Sequence, residues 1–449
     1  MKVSDGISDM NFWRMMAVGL MVGTAGVSSL PAWAASESVP VPVTVPNISG
    51  SQLTWEASVR LATANNPDLQ SSREAVLNSD AVRMGAYSAL YPQISASFGD
   101  TRSYGNGGLY APANYATAYT EQLSISQTVF NGFATKGNID QARAQLNLTF
   151  AELNAQKATI SFNLKSAFAQ LLYAQKLIVL SRNVIEIRQN SAHLVKLLYE
   201  GGNEDKGAML LSQANLDQAI EALEQAQRTY DLSGLQLAVV IGKDLPEPIL
   251  GEGVLETNPL PSKPDFRHLA VLTPAYFQKR AEVDGAAAGI TVAESGWYPT
   301  ITAGASASRS DSQFPLKNDG WSAGFSVSYP IFQGGQTYFN VKAATASLRE
   351  SLAGLRSGTD QAALTLAQAF KNMVDAADNV RIQEELLEAT AMRYKIAEAN
   401  YRNGLMSFQD FDSITDSYVG QQQTCLQSQR DAVIAEANWE LARGLGAIP

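Results

Sequence analysis

Residue types that usually carry chemistry are sparse in this chain. Its 449 residues include two histidines, His193 and His268, and one cysteine, Cys425. Neither histidine belongs to a cysteine or carboxylate arrangement with metal-ligand spacing, so both read as helix-surface or loop residues, and no metal or cofactor is predicted. Cys425 falls in a helical pattern and reads as a small packed residue. No nucleophile elbow, phosphate loop or dinucleotide fingerprint is present, and Gly105-Asn106-Gly107-Gly108 lies between two strand patterns. An enzyme reading has no residues to carry it. What remains is a run of acids after Gly404: Asp410, Asp412 and Asp416. On a helix Asp412 and Asp416 share a face while Asp410 points elsewhere. Such carboxylates either attract cations at a constriction or settle a helix N-terminus through its dipole, and the pattern alone leaves both readings open. The net charge of −10 suits cation passage and argues against a nucleic-acid partner, which needs clustered Lys and Arg.

The elements that must position these acids are long. Lys2 and Arg14 precede an apolar run ending at Leu30, then Pro31 and the small-residue site Ala32-Trp33-Ala34, which is the pattern of a secretory signal peptide over residues 1–34. No later stretch approaches the ~20 apolar residues of a spanning helix, so any membrane crossing must use strands. With one cysteine there is no intrachain disulfide, and none follows the signal peptide to carry a lipid anchor. Residues 35–52 read as an extended Pro- and Val-rich leader. A first unit over 53–241 and a second over 265–449 flank a Gly- and Pro-rich connector, 242–264, expected to have little regular structure. Thr54 reads as a helix N-cap, and Asn65-Asn66-Pro67 should break that helix.

Each unit contains a β-hairpin pattern, at about 93–130 and about 300–332. Ile94, Ala96 and Phe98 alternate with Gln93, Ser95 and Ser97; Leu123 and Ile125 alternate with Gln122, Ser124 and Ser126. Ile301, Ala303, Ala305 and Ala307 do the same against Thr300, Thr302 and Ser306, before Phe325 and Val327. Two readings follow: hairpins packed on helices in a soluble domain, or a membrane barrel segment that is apolar toward lipid and polar toward a lumen. Strand lengths of about ten residues and aromatic residues near strand ends, Tyr104, Tyr119, Phe130, Trp297, Tyr298, Trp321 and Tyr329, favour the second.

After each hairpin comes a very long helical pattern. Ile160, Leu164, Ala167, Leu171, Ala174, Ile178, Ser181 and Ile185 step by four and three, as do Leu366, Phe370, Met373, Ala377, Val380, Glu384 and Leu387. An unbroken helix from Thr135 to Tyr199 extends on the order of 100 Å. Both helices stop at glycine punctuation, Gly201-Gly202 and Gly404, and a second helical run follows each. Phe130-Asn131-Gly132 and Phe332-Gln333-Gly334 sit at matching strand-to-helix junctions, so the two units read as an internal repeat.

Over essentially its whole mature length the chain resembles the TolC-type outer-membrane efflux protein family. The resemblance rests on Leu53-Thr54-Trp55-Glu56-Ala57 through Asn66-Pro67-Asp68-Leu69, Tyr91-Pro92-Gln93-Ile94, Leu123-Ser124-Ile125-Ser126-Gln127 through Phe130-Asn131-Gly132, Tyr298-Pro299-Thr300-Ile301, and Pro330-Ile331-Phe332-Gln333-Gly334-Gly335. It implies a mainly α fold with a membrane β-barrel segment, four strands per chain contributing to a trimeric 12-stranded barrel continued by a long α-helical periplasmic tunnel. The strand count independently favours assembly, because four strands cannot close a barrel.

By the same resemblance Asp410 would form an acidic ring near the tunnel mouth, with Asp412 and Asp416 as further gate candidates. In the first unit the acids stand forward, at Glu204 and Asp205, where the family often has an aspartate later. The tips, Gly201, Gly202, Asn203, Glu204, Tyr401, Arg402, Gly404, Met406 and Phe408, would meet a periplasmic adaptor protein. The expected function is the outer-membrane channel of a tripartite efflux or type I secretion system of a Gram-negative cell. Its expected partners are two further copies, outer-membrane lipid, the adaptor and an inner-membrane transporter of RND, ABC or MFS type. It would pass drugs, metals, other solutes or polypeptides. The alternative is a structural or adhesive periplasmic coiled-coil protein.

Overall fold

The computed structural model describes residues 51–105, 114–243 and 248–449. The signal peptide, all but the end of the leader, and the glycine loop after Gly105 lie outside the described residues.

Two uninterrupted helices, α3 (Ala134–Glu200) and α7 (Gln336–Arg402), are each 67 residues long, about 100 Å at 1.5 Å per residue. Neither contains proline, so nothing breaks the backbone hydrogen-bond ladder. α3 turns back into α4 (Lys206–Ile241), and α7 into α8 (Phe408–Ala442). Before them run α1 (Trp55–Asn65) and α2 (Pro67–Ala86), and in the second half α5 (Phe266–Ala270) and α6 (Pro274–Glu294). Thr54 caps α1, accepting from the Ala57 N–H at 3.2 Å. Asn66 separates α1 from α2: its side-chain Oδ1 accepts from the Leu69 N–H, and its side-chain Nδ2 donates to the Val240 carbonyl of α4.

The strands β2 (Gln93–Gly105), β3 (Asn114–Asn131), β5 (Thr300–Asp311) and β6 (Asn318–Ser328) form one antiparallel sheet in the order β2-β3-β5-β6. The register puts Ser95, Ser124, Ser306 and Ser322 in one row on one face, and Ala96, Leu123, Ala307 and Trp321 in the next row on the other. Hydroxyls join Ser95 to Ser124 at 2.7 Å and Ser306 to Ser322 at 3.0 Å. β6 is exposed along its whole length and β2 along all but one residue, so the reading in which the hairpins pack on helices does not hold. Ile94, Phe98, Leu123, Ile125, Trp321, Phe325 and Val327 all stand exposed. In water this face would forgo on the order of 10 kcal/mol of apolar transfer free energy.

Two expected bounds are refined. The connector has little regular structure beyond one short strand: β4 (Ile249–Glu252) pairs in parallel with β1 (Ser51–Thr54), which takes in the end of the expected leader. Buried Leu53 and Ile249 anchor that pair to the main core, and the Tyr230 hydroxyl donates to the Ile249 carbonyl. The second hairpin stops at Ser328 rather than near 332, because Pro330 has no N–H to continue the ladder.

The main core lies at the waist, where Leu164, Leu171, Ala174 and Ile178 of α3 meet Leu223, Tyr230 and Leu237 of α4, with Leu426 and Val433 of α8. The expected α3 seam is buried or half-buried throughout. In α7 it thins: Leu366 and Met373 are buried, Ala377 and Val380 half-buried, and Glu384 exposed. Within one chain α7 buries only Thr337, Leu366, Ala369, Met373, Ala397 and Tyr401.

Candidate gate at the helix tips

Each long helix ends in a left-handed glycine, Gly202 at φ +75° and Gly404 at φ +71°. Such a φ strains any residue with a Cβ and lets the chain reverse in a few residues. After the reversals Asp205 caps α4, accepting from the Ala208 N–H at 2.8 Å, and Ser407 caps α8, accepting from the Asp410 N–H at 3.2 Å. The two hairpins close on Val195, Ala208, Ala397, Tyr401, Phe411 and Ile414. Tyr401 stacks on Phe411 with centroids 4.7 Å apart and planes 7° from parallel, and Tyr394 stacks on Tyr418 at 5.1 Å.

The three acids part company here. Asp410 is exposed, and its carboxylate accepts from the Ser407 hydroxyl at 2.7 Å, so it completes a reciprocal cap. Asp412 and Asp416 share a face and both bind Arg188 of α3: Nη1 donates to Asp412 Oδ1 at 3.2 Å and Nη2 to Asp416 Oδ1. Asn215 of α4 also donates to Asp412 Oδ1, at 3.0 Å. One guanidinium, buried to 8 % exposure, thus ties α3 to α8 through two carboxylates, and the amide brings in α4. Burial, followed by the neighbouring Asp416 charge, pushes the Asp412 carboxyl up, while Arg188 and Asn215 pull it back. Burial chiefly, with Glu398 next, pushes the Tyr394 phenol up to about 12, so it is a neutral hydroxyl at physiological pH.

Arg188 and Asn215 were not among the expected site residues, although the α3 seam carries the signal. Its steps of four and three run 178, 181, 185 and then 188, so an arginine stands where the pattern calls for a packed side chain. A buried arginine requires carboxylates, and Asp412 with Asp416 one turn apart supply them.

The adaptor-contact candidates divide by burial. Gly201, Gly202, Asn203, Arg402 and Gly404 are exposed, with Arg402 paired to Glu398 one turn back at 3.0 Å. Tyr401 is corrected: at 1 % exposure it presents no surface, and its hydroxyl donates to Glu204 at 3.0 Å, which occupies that acid too. Met406 and Phe408 are half-buried, because both lean on the tip cluster. At the second tip Leu405, 76 % exposed, presents an apolar side chain to the surface.

The sequence profile described as outer membrane efflux protein matches residues 59–243 and 274–446. The chain belongs to the outer membrane efflux protein family. It is similar to the outer membrane efflux protein BepC of Brucella suis biovar 1, 22% identical over 401 residues covering 86% of each chain. It is also similar to the outer membrane protein TolC of Escherichia coli K12, 24% identical over 415 residues covering 85% of this chain and 80% of that one. Among solved structures it resembles CusC, described as forming a transmembrane channel, with a TM-score of 0.77 at 18% identity over 87% of this chain and 92% of that one. As a member of this family the protein is an outer-membrane export channel of TolC-like fold, mostly helical with a four-stranded sheet.

Proposed function

We propose that three copies of the chain close one 12-stranded barrel in the outer membrane, which continues as a helical tunnel through the periplasm. The sheet carries this reading. It has a serine-lined polar face, an apolar face with no protein covering it, and two unpaired edges, β2 and β6, whose backbone groups must find partners in a membrane. Two copies would give a narrow barrel filled by its own side chains, and three leave a water-filled bore. The exposed apolar residues of α7, among them Leu352, Leu364, Ile382 and Leu386, supply a helical surface for the same assembly. The matching lengths of α3 and α7, each preceded by a hairpin and a glycine turn, support an internal two-fold repeat over 53–241 and 265–449.

The chain is exported by its signal peptide. It acts as a passive conduit: a periplasmic adaptor docks at the exposed tip residues and links it to an inner-membrane transporter of RND, ABC or MFS type. Asp410 supplies the acidic ring at the mouth, and the Arg188, Asp412 and Asp416 cluster holds the two hairpins of each chain together beside it. Migration on unheated gels and conductance in planar bilayers test this reading. A heat-sensitive trimer with cation-preferring conductance, less open to block by multivalent cations in Asp410→Asn, is expected. A soluble periplasmic monomer would favour a structural coiled-coil role and sink the channel.

A further inference from the structure

The two halves of the chain share their backbone geometry where the sheet meets the helices. α2 and α6 each run into a short 3-10 turn, Tyr87–Leu90 and Ser295–Trp297. Tyr91 follows the first at φ −110°, ψ 154° and Tyr298 the second at φ −110°, ψ 155°, and their N–H groups donate to the Ser88 and Ser295 carbonyls at 3.0 Å. On the outgoing side Gly132 (φ +63°) and Phe133 (φ +69°) lead into α3, while Gly334 (φ +62°) and Gly335 (φ +86°) lead into α7. Tyr298 stands 207 positions after Tyr91, and Gly334 stands 202 positions after Gly132. The first offset also carries Pro67, which opens α2, to Pro274, which opens α6. The second carries Ala134, which opens α3, to Gln336, which opens α7.

Within one chain these surfaces meet once, where β3 and α3 pack on β5 and α6. A Cβ on Gly132 would lie 2.5 Å from the Ser295 carbonyl oxygen, and one on Gly137 would lie 2.6 Å from Val292 Cγ2. Phe130 meets Tyr298 edge to face with centroids 6.3 Å apart. By the two offsets the counterparts are Gly334, Phe339 and Phe332 on one side, and Ser88, Gly85 and Tyr91 on the other. Among the described residues nothing lies within 4 Å of a Cβ on Gly334 or on Gly85. Phe332 is 86 % exposed, Tyr91 66 % and Phe339 61 %. The chain thus presents, at opposite edges of its sheet, both halves of a contact that it makes once internally. One pair exchanges sizes: Gly137 against Val292 becomes Phe339 against Gly85, so the bulk that α6 supplies in the first pair comes from α7 in the second. The two halves differ from each other and are complementary, which is the requirement for a head-to-tail interface between identical copies.

We infer that β6 and α7 of one copy take β2 and α2 of the next as β3 and α3 take β5 and α6 within the chain. Phe332 then meets the partner's Tyr91, and Phe339 lies over the partner's Gly85. The joint rests on the trimeric reading of the sheet and adds to it the surfaces that meet and their register. In the chain Ile125 pairs with Ala305, Ser126 with Gly304 and Tyr119 with Asp311. Carried over, Val327 stands opposite the partner's Phe98, Ser328 opposite the partner's Ser97 and Trp321 opposite the partner's Tyr104. This register follows from the junctions alone, yet it sets apolar residues beside apolar ones and serine beside serine. A slip of one residue would turn every side chain of β2 to the wrong face. Pro330 falls at the position of Thr128, where β3 shifts register before Phe130, so its missing N–H interrupts a ladder that is irregular there in any case.

Cysteine pairs in the full mature chain test the register, with Cys425→Ser as background. Antiparallel pairs alternate between a close and a wide type along the strands, so one is taken from each face: Val327→Cys with Phe98→Cys, and Ser326→Cys with Gly99→Cys. At least one should oxidise to a covalent trimer on heated, non-reducing gels and return to monomer on reduction. Val327→Cys with Ala96→Cys or with Asp100→Cys sits one diagonal away, at ~7–8 Å, and should stay monomeric on the same gels. A size exchange tests the helices. Gly85→Val meets open space within one chain, so each chain should fold, but the heat-sensitive trimer should fall about tenfold as the new side chain meets Phe339 of the partner subunit. Adding Phe339→Gly rebuilds the pair of the first half and should restore the trimer. A diagonal pair that closes in place of a matched one, an assembled channel in which neither matched pair closes, or full assembly of Gly85→Val overturns the joint and leaves the trimer standing. Loss of assembly that Phe339→Gly does not repair overturns the packing of α7 on α2. A wild type that is monomeric by native mass spectrometry overturns the trimeric reading and the joint with it.

Discussion

Arg188 illustrates how one side chain fixes the neighbourhood of a gate. Its guanidinium is removed from water, a cost repaid only while Asp412 and Asp416 both accept from it. Arg188→Met should therefore loosen the tip by about 2–3 kcal/mol, toward the lower end for a buried pair because Asp416 sits at the surface. Faster amide exchange around Val195 and Phe411, with the waist unchanged, is the expected readout. Exchange that is unchanged at the tip would show the cluster to be incidental. Asp412 adds a pH dependence whose sign follows from its raised carboxyl. In the folded state it holds a proton at pH values where the unfolded chain has released it, so its stabilising contribution is full below the ordinary carboxylate range and is lost as pH rises through the folded-state value. Asp412→Asn cannot titrate. The stability of the wild type relative to this variant should therefore grow as pH falls from neutral toward about 4, measured by thermal melts across that range. A flat difference would mean that the carboxyl titrates normally.

At the scale of elements, the junction from strand to helix makes the sharpest demand on the chain. Asn131, Gly132 and Phe133 turn β3 into α3 with φ of +63° at Gly132 and +69° at Phe133. A Cβ on Gly132 would lie 2.5 Å from the Ser295 carbonyl oxygen and 2.7 Å from the Tyr298 Cβ. Gly132→Ala should thus cost several kcal/mol, from left-handed strain of about 1 kcal/mol and a clash with backbone that has no flexible end to move. Loss of heat-stable assembly with helical circular dichroism retained is expected; an assembled variant of normal melting temperature would show that the junction can yield. These junctions, the hairpins and the long helices were legible in the sequence because each follows from local rules: alternation, the absence of proline, glycine at a positive φ. The pairing of β1 with β4 was not, since it joins Ser51 to Ile249 across the whole first half and its tetrapeptides carry no period. Nor was the division of labour among the tip acids. Helical geometry puts Asp412 and Asp416 on one face, but nothing local says that Arg188, more than two hundred residues away in the chain, lies opposite. The burial of Tyr401 was missed for the same reason, because it depends on Phe411 and Val195 arriving from other helices.

For the whole molecule, the contrast between the two long helices is the clearest sign of what one chain lacks. α3 is held by α4, α6 and α8, and its seam is buried almost from end to end. α7 has the same length and a comparable pattern, yet Ile382 and Leu386, one turn apart, remain 45 % exposed each. If that face met only water, replacing both by lysine would change stability by no more than about 0.5 kcal/mol per site, as surface substitutions generally do. If it packs on a neighbouring copy, the same change buries two unpaired ammonium groups in every interface of the ring, each costing several kcal/mol. Ile382→Lys with Leu386→Lys should therefore abolish the heat-sensitive trimer on unheated gels and the conductance in planar bilayers. Each chain should still keep its helical circular dichroism and its protease-resistant waist, because the single-chain core does not include these residues. A trimer that survives both lysines would place the α7 face in solvent, and closure of the channel would then have to come from the edges of β2 and β6 alone.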